Sequence, residues 1–290
     1  HRWPDMTQLP TALQVVTRFA PSPTGYMHLG HAYAAIFAWR AARERNGRFL
    51  LRIEDIDRDR CRPEFEAAIL EDLDWLGLDW DGQPRRQSDN MADYKRALDK
   101  LFSLDLLYPC FCTRKEILAE ISNADVAPHS TDGPIYPGTC RALAPKERTI
   151  RLERAIPYAL RLNMRKAHAV TGPLTWKDRE QGIQNVDYNA GDIVLARKDI
   201  PTSYHLAVTL DDHRQRITLV TRGMDLFNAS HVHRLLQGLL GLNTPEWEHH
   251  KLIIDEEGGR LSKRGRALTI QALRRAGESP ASVRAMVGFD

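Results

Sequence analysis

The sequence predicts an α/β fold around a parallel sheet, interrupted by one inserted segment. Three features of the 290-residue chain point that way. Val15 to Ala20 is a short run rich in strand formers. It is broken by Pro21-Ser22-Pro23-Thr24-Gly25 and followed by a helical stretch from about His28 to Asn46, which Gly47 ends. Phe49 to Glu54 then reads as the next strand, and the order strand–loop–helix–strand favours parallel pairing through a crossover. Finally, periodicity fails from Tyr108 to about Asn189, a stretch holding three of the four cysteines and seven prolines, as an insertion would.

The remaining elements follow from pattern and breakers. Pro63 to Leu76 and Asp89 to Leu107 read as helices. Ile193 to Arg197, Tyr204 to Leu210 and Ile217 to Thr221 read as short strands after the insertion. Asp225 to Leu240 reads as a helix, Gly258-Gly259 opens a loop, and Thr269 to Gly277 forms a short terminal helix. The expected organisation is a first half of the main domain over 1–107, an insertion over 108–190, a second half over 191–250, and a closing loop and helix over 251–290.

Composition narrows the class. Hydrophobic residues at 42% are enough for a core, and a net charge of +3 permits a polyanionic partner without requiring one. No apolar run approaches the roughly 20 residues that span a bilayer, so no membrane association is expected. His1-Arg2-Trp3-Pro4 lacks the apolar stretch of a signal peptide. Four cysteines in a chain of this length do not make a disulfide scaffold, so a reducing, cytoplasmic setting is expected. A monomer is the default expectation, although no residue pattern reads out the oligomeric state.

The chemistry-bearing string is Arg18-Phe19-Ala20-Pro21-Ser22-Pro23-Thr24-Gly25-Tyr26-Met27-His28-Leu29-Gly30-His31. A strand here feeds a stiff loop into a helix N-terminus, which offers free N–H groups and a positive dipole to an anion. His28 and His31, three apart, share one face of the first turn and suit the charge of a phosphate displacement. Gly30 lacks a Cβ, so a flat ring such as adenine can lie against the backbone. A second string, Gly258-Gly259-Arg260-Leu261-Ser262-Lys263-Arg264, pairs mobility with cations suited to a triphosphate. Alone it is an ordinary basic loop; in one chain with the first string it gains meaning.

Together the two strings resemble the ATP signatures of class I aminoacyl-tRNA synthetases: His28-Leu29-Gly30-His31 the first, Leu261-Ser262-Lys263 the second. Arg264 stands where that family commonly has a small hydroxyl residue. Arg52-Ile53-Glu54-Asp55-Ile56-Asp57, Tyr204-His205-Leu206-Ala207-Val208 and Arg222-Gly223-Met224-Asp225-Leu226 narrow the likeness to the glutamyl branch, from about residue 15 to 270. The resemblance implies a Rossmann-like catalytic core that binds ATP with Mg2+ through His28, Gly30, His31 and Lys263, with His28, His31 and Lys263 catalytic. It further implies a glutamate site made by Arg18, Ala20, Ser22, Glu54, Tyr204 and Arg222. A fixed guanidinium is what selects a carboxylate over a neutral amide, so Arg18 and Arg222 carry that expectation.

Cys110, Cys112 and Cys140 offer three thiolates for tetrahedral zinc, with Tyr136, His129 or Asp132 as possible fourth ligands. The resemblance favours Tyr136, four residues before the last cysteine, and implies an α+β insertion stapled by Zn2+. Cys61 stands apart and reads as structural. Only 27 residues follow Lys263, fewer than a stable domain, so no anticodon-binding domain is expected. That points to the truncated paralogue branch, whose members activate glutamate without tRNA and esterify it onto queuosine at the wobble position of tRNA(Asp). The rival expectations are a catalytic fragment of an ordinary glutamyl-tRNA synthetase and a non-catalytic RNA-binding paralogue.

Overall fold

A computed structural model describes residues 14–122, 129–130, 133–252 and 268–289. From the N-terminus come β1 (Val16–Phe19), α1 (Leu29–Arg43), β2 (Arg48–Ile53), α2 (Pro63–Trp75), β3 (Arg85–Arg86) and α3 (Met91–Ser103). The middle holds β4 (Leu107–Cys110), α4 (Arg114–Ser122), the two-residue β5 (His129–Ser130) and β6 (Gly133–Pro134), α5 (Pro145–Glu153), β7 (Ala159–Leu162) and α6 (Met164–Thr171). A hairpin of β8 (Thr175–Asp178) and β9 (Gly182–Asn185) precedes β10 (Val194–Ala196) and α7 (Tyr204–Arg214). Then follow β11 (Leu219–Gly223), α8 (Phe227–Leu240), β12 (Glu246–His250), α9 (Ile270–Arg275) and α10 (Pro280–Met286).

The expected parallel sheet is present. β1, β2 and β3 pair in parallel, as do β11 with β12 and β12 with β8. Thr218 N donates to Val16 O at 3.0 Å and Val16 N to Thr218 Oγ1 at 2.8 Å, which joins the two sets side by side. Strand alternation then builds two layers. Phe19, Phe49, Leu51 and Ile53 face a core shared with α1, α2, α9 and α10, while Val16 and Leu50 face a core shared with α3, α7 and α8. Arg18 and Arg52 share the register of that second face, so both enter the layer occupied by α7. The tight turn into β2 requires Gly47, because a Cβ there would lie 2.3 Å from Val15 O.

The segment 108–190 does not stand apart from this sheet. β8 joins the parallel sheet beside β12, through the pairing of Trp247 with Asp178. β10, read as resuming the main sheet, instead pairs antiparallel with β7, which pairs with β4. No helix among the described residues is long and apolar enough to cross a membrane.

Two expectations are corrected. Tyr204 to Leu210 is not a strand but the first two turns of α7, capped by Ser203, whose side chain accepts from Leu206 N. Leu206 through Asp212 are all buried. A helix enclosed on all sides shows no period-3.6 polarity, and Val208 and Thr209 added a misleading strand propensity. Asp89 to Leu107 is likewise not one helix: α3 ends at Ser103, Asp105 turns the chain with φ +56°, and Leu107 begins β4.

Asp211 anchors α7 in the interior. Fully buried, it accepts from Arg85 Nε at 2.7 Å, Gln87 Nε2 at 3.0 Å and Tyr94 Oη at 2.8 Å. Removing one member of a buried charged network strands the others. Asp211→Ala is therefore expected to cost about 3–5 kcal/mol, read by urea denaturation; a loss below about 1 kcal/mol would mean that this cluster does not hold α7 in place.

Candidate active site

The parallel strands aim their C-terminal ends at one cavity of about 420 Å³, the place where open α/β sheets bind ligands. The end of β1 and the following turn supply Arg18, Ala20, His28, Gly30 and His31 to its wall. Glu54 follows β2, Tyr204 opens α7, and Arg222 ends β11 on the same wall. Ser22 is not part of the lining; it is exposed, and its carbonyl accepts from Thr24 N at 2.8 Å. Lys263 and the rest of its string lie outside the described residues. The flanking positions are described: Leu252 lines the cavity, and Thr269 bridges to His28, with Ile270 N donating to Met27 O at 2.8 Å.

The histidine turn is locally fixed. His28 caps α1, its Nδ1 accepting from Gly30 N at 3.1 Å, while His28 N donates to His31 Nδ1 at 3.3 Å. With both Nδ1 atoms accepting, each neutral ring carries its proton on Nε2. Gly30 has a reason of its own here: a Cβ would meet His28 Cε1 at 3.0 Å and disturb the cap. Burial lowers the pKa of His28. His31 opens onto the cavity, yet the concave wall around it, with His28 adding to the effect, pushes its pKa down to about 4. Both rings are neutral at pH 7 until an anion arrives.

The two arginines differ. Arg18 is buried and held directly by Asp212, Nε to Oδ1 at 2.8 Å and Nη2 to Oδ2 at 3.4 Å, with Nη1 donating to Thr221 O at 3.2 Å. Arg52, fully buried, donates to the same Asp212 and to Glu54 Oε1. Glu54 is thereby fixed through Oε1 at the cavity; burial raises its pKa while Arg52 and Arg18 oppose the rise. Arg222 is equally buried, but no carboxylate among the described residues lies within ion-pair distance. Its partners are neutral: His249 Nε2 at 3.3 Å, His233 Nδ1 at 3.3 Å, Tyr204 Oη at 3.5 Å and the Ser230 hydroxyl. Burying a guanidinium among neutral acceptors is costly unless an anion completes the site.

Sequence reasoning missed Asp212, Arg52, His233, His249 and Ser230. One signal was available: Asp211-Asp212 closes an apolar run, and acids inside such a run call for buried cations.

A second cluster lies at β4. The Sγ atoms of Cys110, Cys112 and Cys140 all lie within 4.8 Å of one another, with Cys112 and Cys140 at 3.4 Å. Tetrahedral zinc with Zn–S near 2.3 Å sets sulfurs about 3.8 Å apart, so this spacing suits a metal. Tyr136 Oη sits 3.4 Å from Cys110 Sγ and 3.6 Å from Cys112 Sγ, in position for a fourth ligand. Asp132 and the His129 side chain lie outside the described residues. Cys61, half-buried, takes no part in the cluster.

The family model for "tRNA synthetases class I (E and Q), catalytic domain" matches residues 14–288. The chain belongs to this family. Among its relatives, a Glutamyl-Q tRNA(Asp) synthetase of Rhodobacter capsulatus is 48% identical over 95% of this chain and 100% of its own length. One of Nitratidesulfovibrio vulgaris is 42% identical over 92% and 83%. A solved glutamate tRNA ligase of Elizabethkingia meningosepticum, in complex with its amino acid, superposes with a TM-score of 0.72 at 32% identity, over 87% of this chain and 53% of that one. The chain thus spans about half the length of that class I enzyme. Mycobacterium tuberculosis methionyl-tRNA synthetase, at 13% identity and a TM-score of 0.58, shares the fold.

The buried imidazoles of this class I core set its acid stability. Burial, then the charge of Arg222, lowers His233 well below its ordinary value and His205 and His249 to about 4. The unfolded chain binds these protons near pH 6.5, so stability is full above that pH and lost progressively as pH falls towards 4. Asp72 acts oppositely: burial raises its pKa to about 6, with Glu71 adding to the rise and Arg274 opposing it. Glu54 and Glu248, also raised by burial, act in the same sense as Asp72, but burial lowers His28, His31, His231 and His250 as well, so the imidazoles outnumber the carboxyls and leave a net loss. The melting temperature is expected to fall by several degrees between pH 7 and pH 5; a flat profile over that window would contradict the neutral, buried assignment.

Proposed function

We propose that this chain activates L-glutamate with ATP, without tRNA, and transfers the glutamyl group to queuosine at the wobble position of tRNA(Asp). The observation that carries the glutamate reading is Arg222, a buried cation on the cavity wall with no carboxylate partner among the described residues. An amino acid with a side-chain carboxylate completes it, and a neutral amide does not. Glu54, held by Arg52 through Oε1, keeps Oε2 for the substrate ammonium. Arg18, already paired with Asp212, acts as a fixed wall of the same site, with Ala20 beside it and Tyr204 presenting its hydroxyl. Ser22, off the cavity wall, is the weakest member of the set inferred from the strings.

In the first step an oxygen of the glutamate α-carboxylate attacks the α-phosphorus of Mg-ATP in line, forming the mixed anhydride and expelling pyrophosphate. The Nε2–H groups of His28 and His31 donate to the phosphate oxygens as charge spreads, and Gly30 leaves room for adenine. Lys263 is assigned to the triphosphate from its sequence string; the nearest described residues on either side are Leu252, on the cavity wall, and Leu268, next to Thr269, which bridges to His28. In the second step a hydroxyl of the queuosine diol attacks the activated carbonyl and AMP departs, its phosphate taking the proton.

The acceptor rests on the named relatives that match nearly full length. An ordinary glutamyl-tRNA synthetase activity is the second reading, favoured by the fold shared with the solved glutamate ligases. Cys110, Cys112, Tyr136 and Cys140 are proposed to hold one Zn2+, which would cross-link the segment around β4. The cytoplasm is the proposed compartment.

ATP–pyrophosphate exchange is expected with glutamate and no tRNA, and its absence at saturating glutamate from folded protein would sink the activation step. Labelled glutamate is expected to charge tRNA(Asp) that carries queuosine; charging of tRNA(Glu) instead would move the assignment to the second reading. Zinc is expected at about one per chain, with chelation lowering the melting temperature. A metal-free preparation that melts no lower would remove the metal.

A further inference from the structure

The strands β8 and β12 bring Asp178 and His249 together behind the arginine that the proposed glutamate site depends on. Asp178, fully buried, has every acceptor position committed. Its Oδ2 accepts from His249 Nδ1 at 2.7 Å and from His249 N at 3.2 Å, while Oδ1 accepts from Glu180 N and Gln181 N at 2.9 and 2.8 Å. A carboxylate fixed in this way keeps the imidazole proton on Nδ1, so Nε2 presents its lone pair. That lone pair lies 3.3 Å from Arg222 Nε and 3.1 Å from Ser230 Oγ.

We propose that Asp178 and His249 form a positioning pair that holds Arg222 in place and compensates its charge at one remove, and that this pair sets the preference for an acidic over an amide amino acid. The inference rests on the cavity being a glutamate site.

The contrast with Arg18 shows what the relay achieves. Asp212 meets Arg18 directly with both oxygens, which neutralises that guanidinium and uses its binding edge. At Arg222 the negative charge stands one imidazole away. The cation is oriented and made tolerable in the interior, yet no carboxylate among the described residues competes with the one that is to arrive. The other flank is built alike. His233 Nδ1 lies 3.3 Å from Arg222 Nη1, and His233 Nε2 lies 3.2 Å from His205 Nδ1, so a second neutral imidazole chain accepts from the same guanidinium. Burial and the charge of Arg222 keep these rings unprotonated, hence acceptors.

The test is Asp178→Asn, nearly identical in shape. An Asn can keep its oxygen towards Glu180 N and Gln181 N, but its amide N–H groups then face His249 and drive the ring proton to Nε2, where it opposes the Arg222 Nε–H donor. The expected result is a rise in KM for glutamate of about 10- to 100-fold, a similar loss of discrimination against glutamine, and a wild-type KM for ATP. A purely structural role would move both KM values together. His249→Gln keeps an acceptor for Arg222 with no tautomer to set, so Asp178→Asn should add little in that background. His249→Leu, which removes the acceptor, should match Asp178→Asn alone.

Folded Asp178→Asn with a wild-type KM for glutamate, or with KM for ATP rising in step, overturns the proposal. Should that variant not fold, equal KM values for glutamate in His249→Gln and His249→Leu overturn it instead. Wild-type protein without glutamate-dependent exchange overturns the glutamate site itself and this inference with it. An active wild type with indifferent variants overturns the inference alone.

Discussion

Charge compensation of buried arginines is the constraint on which the site rests. Arg18, Arg52 and Arg222 enter the protein on strands, and a guanidinium cannot shed its charge to avoid the cost of burial. Helix α7 supplies the answer for two of them by presenting Asp211 and Asp212 to the sheet. The helix is therefore both a core element and the electrostatic floor of the cavity. Its position follows from apolar packing by Leu206 and Leu210 together with the buried hydrogen bonds of Asp211 to Arg85, Gln87 and Tyr94.

Arg222 is treated differently, and the difference is what gives the cavity a direction. Surrounded by neutral acceptors, it keeps an attraction that Arg18 has already spent on Asp212. A site that must bind an amino acid with two carboxylates and one ammonium needs both kinds of group: walls already neutralised, and one cation left unmatched. Under the proposed function, Glu54 would complement this on the ammonium side; it is immobilised by Arg52 through a single oxygen. The His28 turn adds neutral imidazoles to the same cavity wall.

The segment between β4 and β10 is joined to this machinery more closely than a detachable insertion would be. Asp178 comes from it, enters the parallel sheet through β8, and reaches Arg222 through His249. The cysteine cluster at the other end of the segment has no part in that network. The two ends are thus structurally separate, the thiols gathered beside β4 and Asp178 joined to the cavity wall through His249.

Local pattern alone was sufficient for β1, α1 and β2, because each depends on neighbours within a few residues: the proline-rich break and Gly47. It also singled out Cys110, Cys112 and Cys140, which the fold brings together, since ligand type is a property of the residues themselves. Tertiary structure decided the rest. Tyr204 to Leu210 became a helix because enclosure on every side erased its polarity signal. Arg18 and Arg222, equivalent as residues, were separated by which acid happened to pack against which guanidinium. Compensation of charge acts through space, between residues up to about two hundred positions apart, such as Arg18 and Asp212. No reading along the chain can assign it.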